Sequence, residues 1–240
     1  MKLALISDIH GNLTALDRVL TALAEEGIEE IVCLGDAAVS GPQPQAVLAR
    51  LRELECRVVL GNADAEALTL PDKPPGMDER IREIGLWSIR QLSADDLAFI
   101  RTFQDQVALT LGAYSFLGFH GSPASFNDII NVATPEEELA RYFAPYSAQI
   151  LAGGHTHVQM VRRYRDALLI NPGSVGLPWE KAHSSEDLYN PLRAEYAVLT
   201  IEGGDLRVEL RRVTYPFDGL AAAVHDQTMP HAEWWLSDWR

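Results

Sequence analysis

Six short apolar runs, at residues 3–6, 31–34, 57–60, 114–119, 149–152 and 167–170, set the limits on what this chain can become. Each has the length and β-rich composition of a buried strand, and most run straight into a polar or glycine-bearing loop. Between the first two, Leu13, Leu16, Val19, Leu20 and Leu23 recur at helical spacing, with Asn12 where an N-cap stands. Val47, Leu51 and Leu54 repeat that spacing after the Gly41-Pro42-Gln43-Pro44 turn. The first 64 residues therefore read β-α-β-α-β, an alternation that argues for a largely parallel sheet.

Past Asp64 the pattern changes. Pro71, Pro74, Pro75 and Gly76 lead to Ile81, Ile84 and Trp87, and Ser93-x-x-Asp96 has the form of a capping box before Leu97, Ile100 and Phe103. This predicts a mostly helical insertion over about 65–106. Thr134-Pro135-Glu136-Glu137 combines an N-cap residue, a first-turn proline and acidic residues, predicting a helix over about 135–143. Beyond residue 145 the chain reads as predominantly β, with 195–200 and 206–215 joined into a hairpin by Gly203-Gly204-Asp205. A tail at about 216–240 completes a single domain, and its Trp234, Trp235 and Trp239 are expected to dock it on the body or on a partner chain.

The functional signal lies where these strands end. The successive strands deliver Asp8, His10 and Asn12, then Asp36, then Asn62 and Asp64, then His120, then His155 and His157. In open α/β sheets that edge is where ligands bind. Drawn from these, two carboxylates, one amide oxygen and the four imidazoles form a mixed O/N set suited to divalent manganese, iron, zinc or nickel. Seven protein ligands are too many for one ion that must also leave room for water and substrate, so two ions sharing one carboxylate is the economical solution.

Charge points the same way. With 34 acidic and 20 basic residues the net charge is −14, which argues against a long nucleic acid as partner, because phosphate contacts need a basic face. A bound cation would supply the positive charge that an anionic substrate needs. Arg162, Arg163 and Arg165 read as a solvated face, and His183, His225 and His231 show no ligand spacing. There is no apolar run near the roughly 18 residues that span a bilayer, so no membrane association is expected. The opening MKLALISD has too short an apolar stretch for a secretory segment. Cys33 and Cys56, each beside an apolar run, read as buried reduced thiols, in keeping with a cytoplasmic protein.

Asp8-x-His10, Gly35-Asp36, Gly61-Asn62, Gly118-Phe119-His120-Gly121 and Gly154-His155-x-His157, in that order over residues 1–175, resemble the motifs of the calcineurin-like metallophosphoesterases. The DIHGN opening and the NPGSVGLP stretch at 171–178 are most similar to the small bacterial phosphodiesterase branch. The resemblance implies an α/β fold, a four-layer α/β/β/α sandwich of two mixed sheets with a dimetal centre at its edge. It implies that Asp8, His10 and His157 hold one ion, that Asn62, His120 and His155 hold the other, and that Asp36 bridges them. Two divalent ions are expected, manganese first, with iron, zinc or nickel also suitable, and a metal-bridging hydroxide as nucleophile.

Many members carry a histidine after the asparagine of the third motif, where this chain has Ala63. Asp64 is adjacent, but a carboxylate beside cations is expected to be ionised and a poor proton donor. The expected substrate is a small phosphate ester, a nucleotide among the candidates, read by the insertion and by the 172–195 loop. Asn12 caps a helix whose N–H groups could also meet a phosphate, and Gly173 and Ser174 form a turn that the resemblance sets beside the site. The expected function is metal-dependent phosphodiester hydrolysis. A phosphomonoesterase, or a protein-interaction scaffold such as the family's retromer subunit, is the alternative, and a homo-oligomer is compatible with the sequence.

Overall fold

The computed structural model describes residues 1–69, 76–182 and 187–240. Pro71, Pro74, Pro75 and His183 fall outside the described residues. In chain order the elements are β1 (Lys2–Ile6), α1 (Leu13–Glu25), β2 (Ile31–Cys33), α2 (Pro44–Leu54), β3 (Arg57–Val58) and α3 (Asn62–Thr69). Next come α4 (Glu79–Gln91), α5 (Ala94–Ile100), β4 (Val107–Leu111), β5 (Tyr114–Gly118), α6 (Glu136–Phe143), β6 (Ile150–Ala152), β7 (Met160–Tyr164) and β8 (Ala167–Asn171). The last are β9 (Glu180–Lys181), β10 (Leu188–Tyr189), β11 (Arg193–Glu202), β12 (Asp205–Thr214), α7 (Phe217–Asp226) and α8 (Ala232–Ser237).

Two five-stranded sheets form the centre, in the orders β12-β11-β1-β2-β3 and β4-β5-β6-β8-β7. Both are mixed. The parallel alternation of the first 64 residues holds for β1, β2 and β3, while β11 adds to β1 antiparallel, and in the second sheet β4 pairs antiparallel with β5 and β7 with β8.

The period-two pattern of β1 shows how the layers form. Ala4 and Ile6 enter the core shared with α1 and α2, while Leu3 and Leu5 enter a second core between the sheets, with Leu34, Phe116, Ile150 and Leu199. A third core packs Leu139 and Phe143 of α6 against Leu117, Leu151 and Leu169 on the outer face of the second sheet. The order helix, sheet, sheet, helix is the four-layer sandwich expected from the sequence.

Local signals place most boundaries. The Asn12 side chain accepts from Ala15 N–H at the start of α1, and Ser93 and Asp96 form the reciprocal capping box of α5. One boundary moves: Pro135 is the N-cap of α6, and Thr134 instead accepts from Asn131 N–H through its hydroxyl, tightening the preceding turn. The C-terminal tail forms two helices, and Trp235 and Trp239 pack into the core under α1, their rings 5.0 Å apart and tilted by 45°. Arg162 donates to the carbonyls of Asn131, Val132 and Thr134, so its guanidinium fastens a turn instead of facing solvent. Cys33 is buried and Cys56 partly so, and both are free thiols. No helix among the described residues is long and apolar enough to cross a membrane.

Candidate metal centre

The ends of β1, β2, β5 and β6 and the start of α3 converge at one edge of the sandwich, bringing together all seven residues expected as ligands. Asp8, His10 and His157 form one group and Asp36, His120 and His155 another, each presenting ligand atoms within 4.8 Å of one another. Asn62 joins the second group, its Oδ1 lying 3.1 Å from His120 Nε2. Asp36 Oδ2 lies 3.4 Å from His120 Nε2 and 3.6 Å from His10 Nε2, so this one oxygen faces both groups.

The spacing tests whether these atoms suit an ion. Two donors about 2.1 Å from a metal stand about 3.0 Å apart at a right angle and about 3.4 Å apart at a tetrahedral angle. His10 Nε2 and His157 Nε2 are 3.1 Å apart, and His157 Nε2 is 3.2 Å from Asp8 Oδ1. Asp8 Oδ1 is moreover a buried acceptor with no hydrogen-bond partner, the kind of atom that a buried site leaves for a ligand.

Backbone carbonyls fix the imidazoles. His10 Nδ1 meets Val39 O at 2.8 Å, His120 Nδ1 meets Leu34 O at 2.7 Å, and His157 Nδ1 meets Leu177 O at 2.6 Å. A carbonyl can only accept, so the proton sits on Nδ1 and, in the neutral ring, the Nε2 lone pair points into the centre. Each carboxylate is divided in the same way. Asp8 Oδ2 accepts from His155 N–H and Asp36 Oδ1 from Ala63 N–H, leaving the second oxygen of each for the centre.

The backbone is strained where the ligands sit. Asp8, His10, Asp36, His155 and His157 all have positive φ, between 46° and 69°, a conformation that non-glycine residues hold only when their surroundings enforce it. Glycines provide the room. A Cβ on Gly61 would stand 2.1 Å from Asp36 Oδ1, and one on Gly154 would stand 2.7 Å from Asp8 Oδ2.

Without ions the centre balances its own charge. Burial opposes ionisation of Asp8 and Asp36, but His157 and His120 outweigh it for Asp8, and His120, His10 and the Ala63 N–H outweigh it for Asp36, so both carboxyls are held below the ordinary range. Burial likewise opposes protonation of His120, yet Asp36 and Asp8 lift it to about 10, and Asp8 raises His157. Burial keeps His10 and His155 below the usual imidazole value.

Asn12, Gly173 and Ser174 are all buried beneath this centre. The Asn12 carboxamide is spent on Ala15 N–H, Gly176 O and Tyr215 OH. Ser174 donates to Asp8 O and accepts from Leu177 N–H, while Gly173, at φ +81°, leaves room for Glu195. Asp64 has a structural part that its sequence position did not reveal. It is fully buried, and its two oxygens accept from Ala37 N–H and Gly61 N–H, tying together the loops that carry Asp36 and Asn62. In the metal-free protein burial, with Asp36 nearby, pushes its carboxyl up to about 7.

The chain resembles known phosphoesterases in sequence and fold. Residues 1–201 match the calcineurin-like phosphoesterase superfamily domain. The chain is 27% identical to the phosphodiesterase YfcE of Escherichia coli over 74% of its own length and 81% of that protein. It is 25% identical to an uncharacterized protein of Methanocaldococcus jannaschii over 98% and 96% of the two chains. Its fold matches the crystal structure of a metallophosphoesterase from Sphaerobacter thermophilus with a TM-score of 0.74 at 25% identity, covering 99% of this chain and 98% of that one.

Proposed function

The chain belongs to the calcineurin-like phosphoesterase superfamily, and from that premise we propose that it is a metal-dependent phosphodiesterase. Asp8, His10 and His157 would hold one divalent ion, Asn62, His120 and His155 would hold a second, and Asp36 would be shared between them. The observation that carries this reading is the pair of converging ligand groups with Asp36 Oδ2 facing both. When bound, two such ions polarise a phosphoryl oxygen and lower the pKa of water toward about 7. Manganese suits the O/N donor set, which holds no thiolate.

The residues of the chain do the rest. The Val39, Leu34 and Leu177 carbonyls hold three imidazoles in their donor-ready tautomer, so little reorganisation is left for the reaction. Ala63 contributes its N–H to Asp36 and has no side chain able to protonate a leaving group. The two Asp64 oxygens are engaged by backbone N–H groups, so it does not fill that role. General acid assistance is typically worth about 100- to 10,000-fold, and its absence from position 63 directs the enzyme toward diesters with acidic leaving groups.

The test compares bis-p-nitrophenyl phosphate with p-nitrophenyl phosphate on manganese-loaded protein. Faster turnover of the diester, lost in Asp36→Ala, supports the reading. Faster turnover of the monoester makes the enzyme a phosphomonoesterase, and bound metal with no turnover of either favours a scaffold.

A further inference from the structure

One recess borders the centre, a second shares backbone with it, and the two differ in chemistry. Against His120 lies a polar recess of about 380 Å³ bordered by Gln106, Ser122 and Asn127. An apolar recess of about 180 Å³ opens where α4, α8 and the loop after β8 meet, lined chiefly by Ile81, Ile84, Leu177, Trp234, Trp235 and Ser40. This second recess shares its backbone with the centre: Leu177 supplies the carbonyl that holds His157, and Ser40 follows Val39, whose carbonyl holds His10. Ser40 is itself at φ 85°, with its N–H donated to Ser88 of α4, so the insertion clasps the loop that borders the ligands.

Resting on the phosphodiesterase reading, we infer that the apolar recess receives one arm of the diester, a single uncharged aromatic ring or a hydrocarbon group of that size, while the polar recess receives the other. Size supports this, since an apolar cavity of about 150 Å³ accommodates one benzene ring and 180 Å³ leaves no room for a whole nucleoside. Charge supports it too: among the described residues Asp238 is the one charged side chain on the lining, and it disfavours an anionic arm. The wall is also preformed. Arg80, held by Asp78, lies 4.1 Å over the Trp234 ring and fixes its orientation, while Ile81 is 47% exposed and offers apolar surface to an incoming group. Binding an apolar group there removes that surface from water without first ordering the site.

The test uses two diesters with the same leaving group, phenyl p-nitrophenyl phosphate and methyl p-nitrophenyl phosphate, on manganese-loaded protein. The proposal expects kcat/KM for the phenyl ester to exceed that for the methyl ester by about 10- to 100-fold. It expects Ile81→Trp, which fills the recess from an exposed helix position, to bring the ratio close to one while melting temperature and metal content stay at wild-type values. A second readout needs no turnover: phenyl methyl phosphate added to metal-free protein should shift the Trp234 indole N–H resonance, identified by its loss in Trp234→Phe, whereas dimethyl phosphate should not. Hydrolysis of both esters at similar kcat/KM, or a ratio unchanged in Ile81→Trp, overturns the recess assignment and leaves the phosphodiesterase reading standing. A phenyl-dependent Trp234 shift with neither diester hydrolysed upholds the recess and overturns the phosphodiesterase reading.

Discussion

Gly61→Ala isolates the contact between the second and third ligand loops. The added Cβ would stand 2.1 Å from Asp36 Oδ1, 2.4 Å from Asp36 N and 2.8 Å from Asp36 Cγ. Ordinary van der Waals contact begins near 3.4 Å, so the loops must separate by about 1 Å, and the obstacle includes backbone as well as a side chain. Overpacking in a well-filled interior typically costs about 1–3 kcal/mol, and a clash with main chain belongs at the top of that range. For a chain of this length about 3 kcal/mol lowers the melting temperature by roughly 6–12 °C. The same movement pulls Asp36 away from Ala63 N–H and from both ligand groups, so manganese affinity falls as well. Gly85→Ala is the control. It lies inside α4, where the nearest atom to its added Cβ is Val39 Cγ1 at 3.9 Å, and helix propensity predicts a gain of about 0.5–1 kcal/mol. Differential scanning calorimetry and manganese titration read both effects. A Gly61→Ala protein that melts within 2 °C of wild type and binds manganese with unchanged affinity would refute the reasoning.

Three further outcomes are expected. His120, raised to about 10 by Asp36 and Asp8, carries a proton in the metal-free protein at neutral pH, and Asp8 shifts His157 in the same direction, whereas ligands must be neutral. Manganese binding at pH 7 should therefore release protons and tighten as pH rises, seen by calorimetry as a binding enthalpy that varies with the ionisation enthalpy of the buffer; no such variation contradicts the assignment. For the metal-free fold, a histidine raised from 6.5 to about 10 contributes stability that is complete below pH 6.5 and lost as pH climbs through 10, so the melting temperature of chelator-treated protein should fall across that window. Asn12→Ala removes the α1 cap and the bonds to Gly176 O and Tyr215 OH, a loss of about 2–3 kcal/mol, measurable by urea unfolding.

Much of this molecule was legible in its sequence because ligands at strand ends depend on two short-range signals, apolar runs and the polar residues that follow them. Leu3 and Leu5 facing one core and Ala4 and Ile6 the other is what a fully apolar run at residues 3–6 implies for a strand buried on both faces. Strand β4 was not anticipated, since Ala108 and Thr110 interrupt its apolar character and its partner lies across a tight turn. Helices α7 and α8 carry no comparable local signal, because their packing depends on α1, far away in sequence. At the site, residue types and order were readable and the supports were not. The carbonyls of Leu34, Val39 and Leu177 carry no side-chain signature, and the positive φ of five ligands is imposed by tertiary packing. Asp64 showed only its position in the first turn of α3; its role depends on Ala37, 27 residues away.

The most direct test is an anomalous difference map from crystals of the manganese-loaded protein. The account predicts two peaks about 3.5–4 Å apart, one against Asp8, His10 and His157 and one against Asn62, His120 and His155, with Asp36 touching both. A single peak, or none at this edge of the sandwich in protein that has taken up manganese, would contradict it.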